Sequence, residues 1–271
     1  MPAAEPAHLL DLAVDVAREA GQLAARGQAG IGVLETKSSP TDVVTEMDRS
    51  VEELVRKRLL SARPGDSVLG EESGSETGSS EVRWIVDPID GTVNYLYGRG
   101  EWAVSIAAES RGEVVAGVVA IPARGETYTA TLGGGAFCEG EPLRVNDTVP
   151  LETALVGTGF GYSTDRRAHQ AEVLRTVLPR VRDIRRGGSA AVDLCSVAHG
   201  RADAYYERGL NAWDWSAAEL IAREAGARVA GLNGAPPTPD LVIAAAPGLF
   251  EELHDLLEPL GADTDGASPA T

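Results

Sequence analysis

The sequence predicts a mixed fold, α+β in its first half and α/β in its second. Three observations carry this prediction. The first sixty residues contain two stretches with apolar residues at helical spacing, the middle contains strand-like runs joined by glycine-rich turns, and the second half alternates strand-like with helix-like stretches. With 271 residues, 43% of them hydrophobic, the chain can form one large domain or two small ones that share an interface.

A helix pair and a meander of strands account for the first half. The helical periodicity places the two helices at residues 8–26 and 45–60. A short strand leads into Glu71 and Glu72, and a polar loop follows it. The strands are predicted at 67–70, 84–86, 102–108, 114–121 and 126–132, and the loop at 73–80. Because glycine-rich turns separate the later strands, we expect them to pair antiparallel.

The second half alternates strands and helices. The predicted strands are 154–157, 204–207 and 241–246, and the predicted helices are 166–178, 189–199, 216–225 and 249–257. We therefore predict an N-terminal α+β subdomain at 1–148, a C-terminal α/β subdomain at 149–262 and a flexible tail of small and polar residues at 263–271.

Composition excludes several classes of protein. A formal net charge of −17, from 41 acidic and 24 basic residues, leaves no basic stripe for binding nucleic acid through its phosphates. Two cysteines far apart, Cys138 and Cys195, favour buried thiols over zinc sites or disulfides. The first residues show no basic segment of a signal peptide, and no apolar run approaches a membrane span. We expect a soluble, cytoplasmic protein.

Two aspartates lie three residues apart in the stretch VDPIDGTVNYLYG, which starts at Val86. Asp87 and Asp90 flank Pro88 and precede a glycine, so we predict a turn where the buried strand ends. Two carboxylates this close repel each other unless they share a cation or, as in acid proteases, a proton.

Magnesium is the cation that this stretch favours. Mg²⁺ takes oxygen ligands, whereas the four histidines of the chain form no spacing typical of zinc or iron ligands. Gly91-Thr92 is predicted to open a helical turn whose N–H groups can hold a phosphate. Asp48, in the first turn of the second helix, and Asp214, directly before a later helix, are further acidic positions that the site could include, although each alone is typical of an ordinary cap.

In their order and spacing, the motifs of this chain closely resemble those of the inositol monophosphatase family over nearly the whole length. The matching stretches are 37–42 (KSSPTD), 42–48, 70–73 (GEES), 84–92 (WIVDPIDGT) with Asn94, 135–138, 188–191, 202–207, and 213–214 with 224–226. The resemblance implies an alternating αβαβα layered sandwich, as in inositol monophosphatases and fructose-1,6-bisphosphatases. It also implies a lithium-sensitive, Mg²⁺-dependent phosphomonoesterase, a homodimer with two or three Mg²⁺ per active site.

The same resemblance assigns roles to individual residues. It implies metal ligands at Glu71, Asp87, the Ile89 carbonyl, Asp90 and Asp214, catalytic roles for Glu71, Thr92 and Asp90, and phosphate contacts at Gly91 and Thr92. Substrate contacts fall on Asp90, Ala190, Glu207 and Asp214, and supporting roles on Lys37, Asp42 and Asp48. Departures from the family pattern occur at Tyr97, Gly100, Ser216 and Ala227, outside the metal ligands.

The sequence leaves the substrate open. Inositol monophosphate is favoured because Glu207 can accept hydrogen bonds from vicinal hydroxyls. The alternatives are histidinol phosphate, fructose bisphosphate, an adenosine bisphosphate or a sugar phosphate of secondary metabolism. A regulatory binding protein is a third hypothesis, which the complete set of carboxylates argues against. The expected partner is a small phosphorylated polyol or sugar, with neither nucleic acid nor membrane.

Overall fold

A computed structural model describes residues 5–29, 31–37 and 43–266. Its helices are α1 (Pro6–Gly27), α2 (Glu46–Ala62), α3 (Thr92–Leu96), α4 (Thr164–Val177), α5 (Ala190–Ala198), α6 (Ala212–Glu224) and α7 (Pro247–Leu257). Its strands are β1 (Val33–Thr36), β2 (Val43–Thr45), β3 (Ser67–Gly70), β4 (Gly74–Glu76), β5 (Val82–Asp90), β6 (Ala103–Ser110), β7 (Glu113–Ile121), β8 (Glu126–Thr131), β9 (Gly135–Cys138), β10 (Glu141–Pro142), β11 (Leu155–Thr158), β12 (Asp183–Arg185), β13 (Ala204–Glu207), β14 (Arg228–Ala230) and β15 (Val242–Ala245).

Most of these strands belong to two sheets. The first has eight strands in the order β10-β9-β8-β7-β6-β5-β3-β4, all antiparallel except the parallel pair β3 and β5. The second has five strands in the order β12-β11-β13-β15-β14, with β11 parallel to both of its neighbours. The predicted antiparallel meander is therefore confirmed in β6, β7 and β8.

The sheets and helices stack in five layers. One core joins α1 and α2 to the outer face of the eight-stranded sheet, and a second core packs α5 and α6 between the two sheets. A third core covers the far face of the five-stranded sheet with α4 and α7. This is the predicted αβαβα arrangement, and α5 and α6 are its central layer. No helix within the described residues combines the length and the apolar character that crossing a bilayer demands.

Three local predictions were wrong. The strand β5 does not end at Val86 but continues to Asp90 through a β-bulge, because its pairing with β6 shifts register between Asp87 and Asp90. The stretch expected to be only a polar loop contains β4, which pairs with β3. Helix α6 begins at Ala212, so Asp214 lies inside its first turn instead of before it.

Candidate active site

Three carboxylates from two distant parts of the chain meet in one cleft. Asp87 and Asp90 on β5 and Asp214 on α6 each offer an oxygen, and these oxygens lie within 4.8 Å of one another. The cleft has a volume of about 520 Å³, and Glu71, Thr92 and most other residues predicted for the site line it. The structure thus brings together the carboxylates that the sequence suggested as ligands.

The parallel pairing of β3 and β5 explains the position of Glu71. Parallel strands end at the same edge of a sheet, so Glu71, directly after β3, lies beside the end of β5. Its backbone N–H donates to the carbonyl of Val86 over 3.3 Å. The Glu71 carboxylate therefore faces the two aspartates of the bulge.

The bulge itself sets the directions of Asp87 and Asp90. An extra residue in one strand re-aims the side chains around it. Asp87 Oδ1 accepts a hydrogen bond from the Ile89 N–H at 3.0 Å. Asp90 Oδ2 accepts from Ser189 Oγ at 2.6 Å and from the Ala191 N–H at 2.7 Å, both at the start of α5. One Asp90 oxygen is thus fixed by the central layer.

Thr92 connects the end of β5 to the start of α2. Its hydroxyl lies 3.1 Å from Asp48 Oδ1 and 3.1 Å from the Ile89 carbonyl oxygen. Asp48 is itself held by a capping box with Thr45, the N-cap of α2. Gly91, before Thr92, has φ +96°, and a Cβ there would lie 2.9 Å from the Glu101 carbonyl oxygen, so a larger residue does not fit.

Asp214 enters the cleft from the opposite side. It is the third residue of α6, and its Oδ2 accepts the N–H of the N-cap Asn211 at 2.6 Å. Trp213 also lines the cleft, and both Trp213 and Trp215 pack against the core between the sheets.

A lysine and a buried glutamate hold the turn after β3. Lys37 Nζ lies 2.8 Å from Glu71 Oε1 and 2.6 Å from Glu72 Oε1. Glu52 of α2 is buried and accepts the N–H groups of Glu72 at 2.7 Å and Ser73 at 2.9 Å. Lys37 therefore contacts Glu71 and Glu72, while Asp42 lies outside the described residues.

The carboxylates resist ionisation. Burial, reinforced by neighbouring negative charges, raises the pKa of Asp87 and Asp214 well above their ordinary value. Burial also raises the pKa of Glu71 to about 7 and that of Asp90 to about 6, although Lys37 and Ser189 respectively oppose the shifts. Because ionising these buried carboxylates costs free energy, a cation bound between them stabilises their charged forms.

The donor set fits Mg²⁺. The cleft offers hard oxygen donors, the type that Mg²⁺ prefers. These are the carboxylates of Asp87, Asp90 and Asp214, with the Glu71 carboxylate and the Ile89 carbonyl nearby. Among the described residues that line the cleft, no histidine or cysteine offers a softer ligand.

The far wall of the cleft is the place of the predicted substrate contacts. Ala190 is the first residue of α5, and Glu207 ends β13. The Tyr205 hydroxyl donates to Glu207 Oε2. Burial raises the pKa of Glu207 to about 7, while Tyr205 and Arg186 oppose that shift. Glu207 is therefore harder to ionise than an exposed glutamate.

Sequence reasoning missed several residues that shape the cleft. Ser189 could have been found, since a serine at the start of a predicted helix is a good N-cap. Glu52 had no such signal, because a glutamate four residues before an arginine is typical of a solvated helix face. Asp193, Arg166 and Arg208 were likewise hidden in ordinary helix and loop positions.

Comparison with known proteins shows to which family the chain belongs. The model of the inositol monophosphatase family matches residues 5–261. The chain belongs to the inositol monophosphatase family. It is 47% identical to the inositol-1-monophosphatase SuhB of Mycobacterium tuberculosis, over 95% of this chain and 96% of that one. It is 37% identical to a protein of Pasteurella multocida named Nus factor SuhB, over 94% and 97%.

Solved structures of the family share the fold. The extragenic suppressor protein suhB of Bartonella henselae superposes with a TM-score of 0.87 at 36% identity, covering 93% of this chain and 98% of that one. Membership of the inositol monophosphatase family identifies the chain as a phosphatase.

Proposed function

We propose that the protein hydrolyses myo-inositol monophosphate to inositol and phosphate in a Mg²⁺-dependent reaction. The observation that carries this proposal is the meeting of Asp87, Asp90 and Asp214 in one cleft, with Glu71 beside them. When bound there, Mg²⁺ activates water and neutralises charge that develops on the phosphate. Two or three ions per site are proposed, as the family resemblance implies.

The residues of the chain supply binding and orientation. Glu71, Asp87, the Ile89 carbonyl, Asp90 and Asp214 hold the ions, and Glu71 with Thr92 orients the attacking water. The support for the role of Thr92 is that Asp48 and the Ile89 carbonyl oxygen fix its hydroxyl. The N–H groups of Gly91 and Thr92 hold the phosphate. No covalent intermediate with the enzyme is involved.

Inositol is the proposed alcohol because acceptors line the far wall. Glu207 lies there beside Ala190, where a carboxylate can accept hydrogen bonds from adjacent ring hydroxyls. Asp90 and Asp214 complete the proposed substrate contacts. Lys37 and Asp48 keep Glu71 and Thr92 in place, and Asp42 is proposed to support the neighbouring loop.

A phosphate-release screen tests the substrate. With Mg²⁺ present, inositol 1-phosphate should give a higher kcat/KM than histidinol phosphate, fructose bisphosphate, an adenosine bisphosphate or sugar phosphates. A preference for one of these other compounds would replace inositol in the proposal and keep the phosphatase chemistry.

A regulatory binding role is the second candidate, which the similarity to a protein named Nus factor SuhB favours. A pull-down with an Asp90→Asn variant separates the two roles, because a partner retained by this variant does not depend on catalysis.

The homodimer and lithium inhibition stay predictions, tested by light scattering and by assays at millimolar Li⁺. A cytoplasmic location is proposed from the free, buried Cys138 and Cys195.

A further inference from the structure

Three arginines that the proposed reaction does not use line the same cleft as the carboxylates, and two of them, Arg166 and Arg208, share one carboxylate partner. Arg166 lies in the first turn of α4, and Arg208 directly follows β13 and Glu207. Both come from the part of the chain that forms the wall opposite the β5 bulge. Their charges therefore border the space in which the alcohol part of a substrate would lie.

Two glycines form a cradle for Arg166. A Cβ on Gly209 would lie 2.3 Å from Arg166 Nη1, and a Cβ on Gly161 would lie 2.6 Å from Arg166 Cδ. Any other residue at either position would displace the arginine. The chain thus leaves room for this side chain to lie flat against the backbone, with one edge of its guanidinium turned to an anion.

That anion is Asp265, near the end of the described residues. Arg166 donates from Nε to Asp265 Oδ1 at 2.7 Å and from Nη2 to Oδ2 at 3.3 Å, and Arg208 Nε donates to Oδ1 at 2.9 Å. Paired donors of this kind are how guanidinium binds either a carboxylate or a phosphate. The two arginines hold the pKa of Asp265 below its ordinary value.

The arginines are more firmly placed than the carboxylate. The Arg208 side chain is only 11% exposed and also donates to Asp240, whereas the Asp265 side chain is 49% exposed. The turn that carries Asp265 is attached through Gly261, whose carbonyl oxygen lies 2.9 Å from His169 Nε2. Ala262 is the last residue of this turn that belongs to a buried core, so Asp265 can leave without unpacking that core.

We propose that Arg166 and Arg208 form an anion subsite at the rim of the cleft, which the Asp265 carboxylate occupies until a substrate with a second anionic group displaces it. The ligand class is a polyol phosphate that also bears a carboxylate or a second phosphate. This inference rests on the proposed phosphatase function and extends its substrate class. The tail thereby favours polyol phosphates with one anionic group (singly anionic) over those with two anionic groups (doubly anionic).

Two matched pairs of compounds test the subsite. The carboxylate pair is 6-phosphogluconate with sorbitol 6-phosphate, and the phosphate pair is fructose 1,6-bisphosphate with fructose 1-phosphate. The full-length Asp265→Asn variant should raise kcat/KM about tenfold for the doubly anionic member of at least one pair, as expected when the substrate forms one additional charge-assisted hydrogen bond. The singly anionic members should change little. Which pair responds identifies the second anion.

Two variants serve as controls. Asp263→Asn makes the same change of charge in the same turn, two residues from Asp265, and should leave all four rates near those of the wild type. Arg166→Gln, added to Asp265→Asn, should remove the gain. Melting temperatures of the variants establish that each is folded.

Other outcomes would overturn the subsite. If Asp265→Asn changes singly and doubly anionic compounds by the same factor, or lowers the rates for all four, the tail has only a structural role. If the wild type releases phosphate from neither inositol 1-phosphate nor these four compounds, the proposed function has failed. The four compounds can then be titrated calorimetrically with Mg²⁺ present, since nothing is hydrolysed. Tighter binding of a doubly anionic compound to Asp265→Asn would still support the subsite, and unchanged binding would overturn it.

Discussion

Glu207 lies two residues beyond a buried tyrosine, and its charge depends on what surrounds it. Burial favours the neutral acid, while the Tyr205 hydroxyl and the charge of Arg186 favour the carboxylate. A carboxylate there can accept hydrogen bonds from a polyol, and each such bond to a charged group contributes about 1.5–3 kcal/mol.

The first prediction concerns this contact. Glu207→Ala should lower kcat/KM for inositol monophosphate by roughly ten- to a hundredfold, because the acceptor for ring hydroxyls is lost. p-Nitrophenyl phosphate has no such hydroxyls and should be hydrolysed almost as before. Steady-state kinetics on both substrates provide the comparison. Equal losses on the two would mean that Glu207 supports the structure of the site and does not recognise a polyol.

The second prediction concerns Asp193, in the first turns of α5 behind Glu207. Burial, followed by the charges of Glu207 and Asp90, raises the pKa of Asp193 to about 8 from an ordinary value of 3.8. Because the folded chain binds this proton more tightly than the unfolded chain, the contribution to stability is complete below pH 4 and is lost as the pH rises through about 8.

The measurement is a series of melting temperatures in chelator between pH 4 and pH 8. The wild type should lose stability over this range, and Asp193→Asn, which has no proton to lose, should show a shallower decline. Parallel curves for the two proteins would show that Asp193 titrates at an ordinary pKa.

At the scale of elements, helical and strand periodicity located most of the long helices and strands, but the elements that build the site departed from the patterns. The Asp-Pro-Ile-Asp stretch is typical of a turn, yet pairing with β6 keeps it in the sheet as a bulge. The first turn of α6 was missed because an aspartate just before a helix-like stretch is typical of an N-cap. In the structure the N-cap is Asn211, and the Asp214 side chain accepts its N–H from inside the helix. A pairing partner on another strand decides the first case, and local propensity does not contain it. The second case is local, since Asn211 and Asp214 form the capping box within one turn.

The third prediction concerns the turn between β3 and β4. Glu52→Ala leaves the N–H groups of Glu72 and Ser73 without their acceptor and should lower the free energy of unfolding by about 2–4 kcal/mol. The same change should reduce kcat severalfold, since the turn carries Glu71. Urea unfolding and kinetics measure the two effects. Glu53→Ala, at the exposed neighbouring position, is the matched control and should alter neither, and an effect as large as that of Glu52→Ala would argue against the role of Glu52 as the acceptor.

At the scale of the molecule, the central layer of helices connects the two sheets to one site. Asp87 and Asp90 come from the eight-stranded sheet, α6 carries Asp214, and the start of α5 anchors Asp90. The sequence motifs identified these residues. Asp214 is far from Asp87 and Asp90 in the chain, and only the layered packing brings it next to the bulge. The anion contacts of the tail depend on the same packing and left no signal in the sequence.

The fourth prediction concerns the carboxylates without metal. Asp87, Asp90 and Asp214 repel one another in the metal-free protein, so Asp90→Asn should abolish catalysis while keeping the fold. In chelator its melting temperature should equal or exceed that of the wild type. A circular dichroism spectrum typical of an unfolded chain would show that Asp90 is needed for folding itself.

The central claim is that this cleft hydrolyses phosphate esters through Mg²⁺ held by its carboxylates. The most direct test is phosphate release from inositol 1-phosphate by the wild type, first in excess chelator and then after Mg²⁺ is added back. We expect no release above the uncatalysed background in chelator and full recovery with Mg²⁺. Undiminished release in excess chelator would contradict this claim.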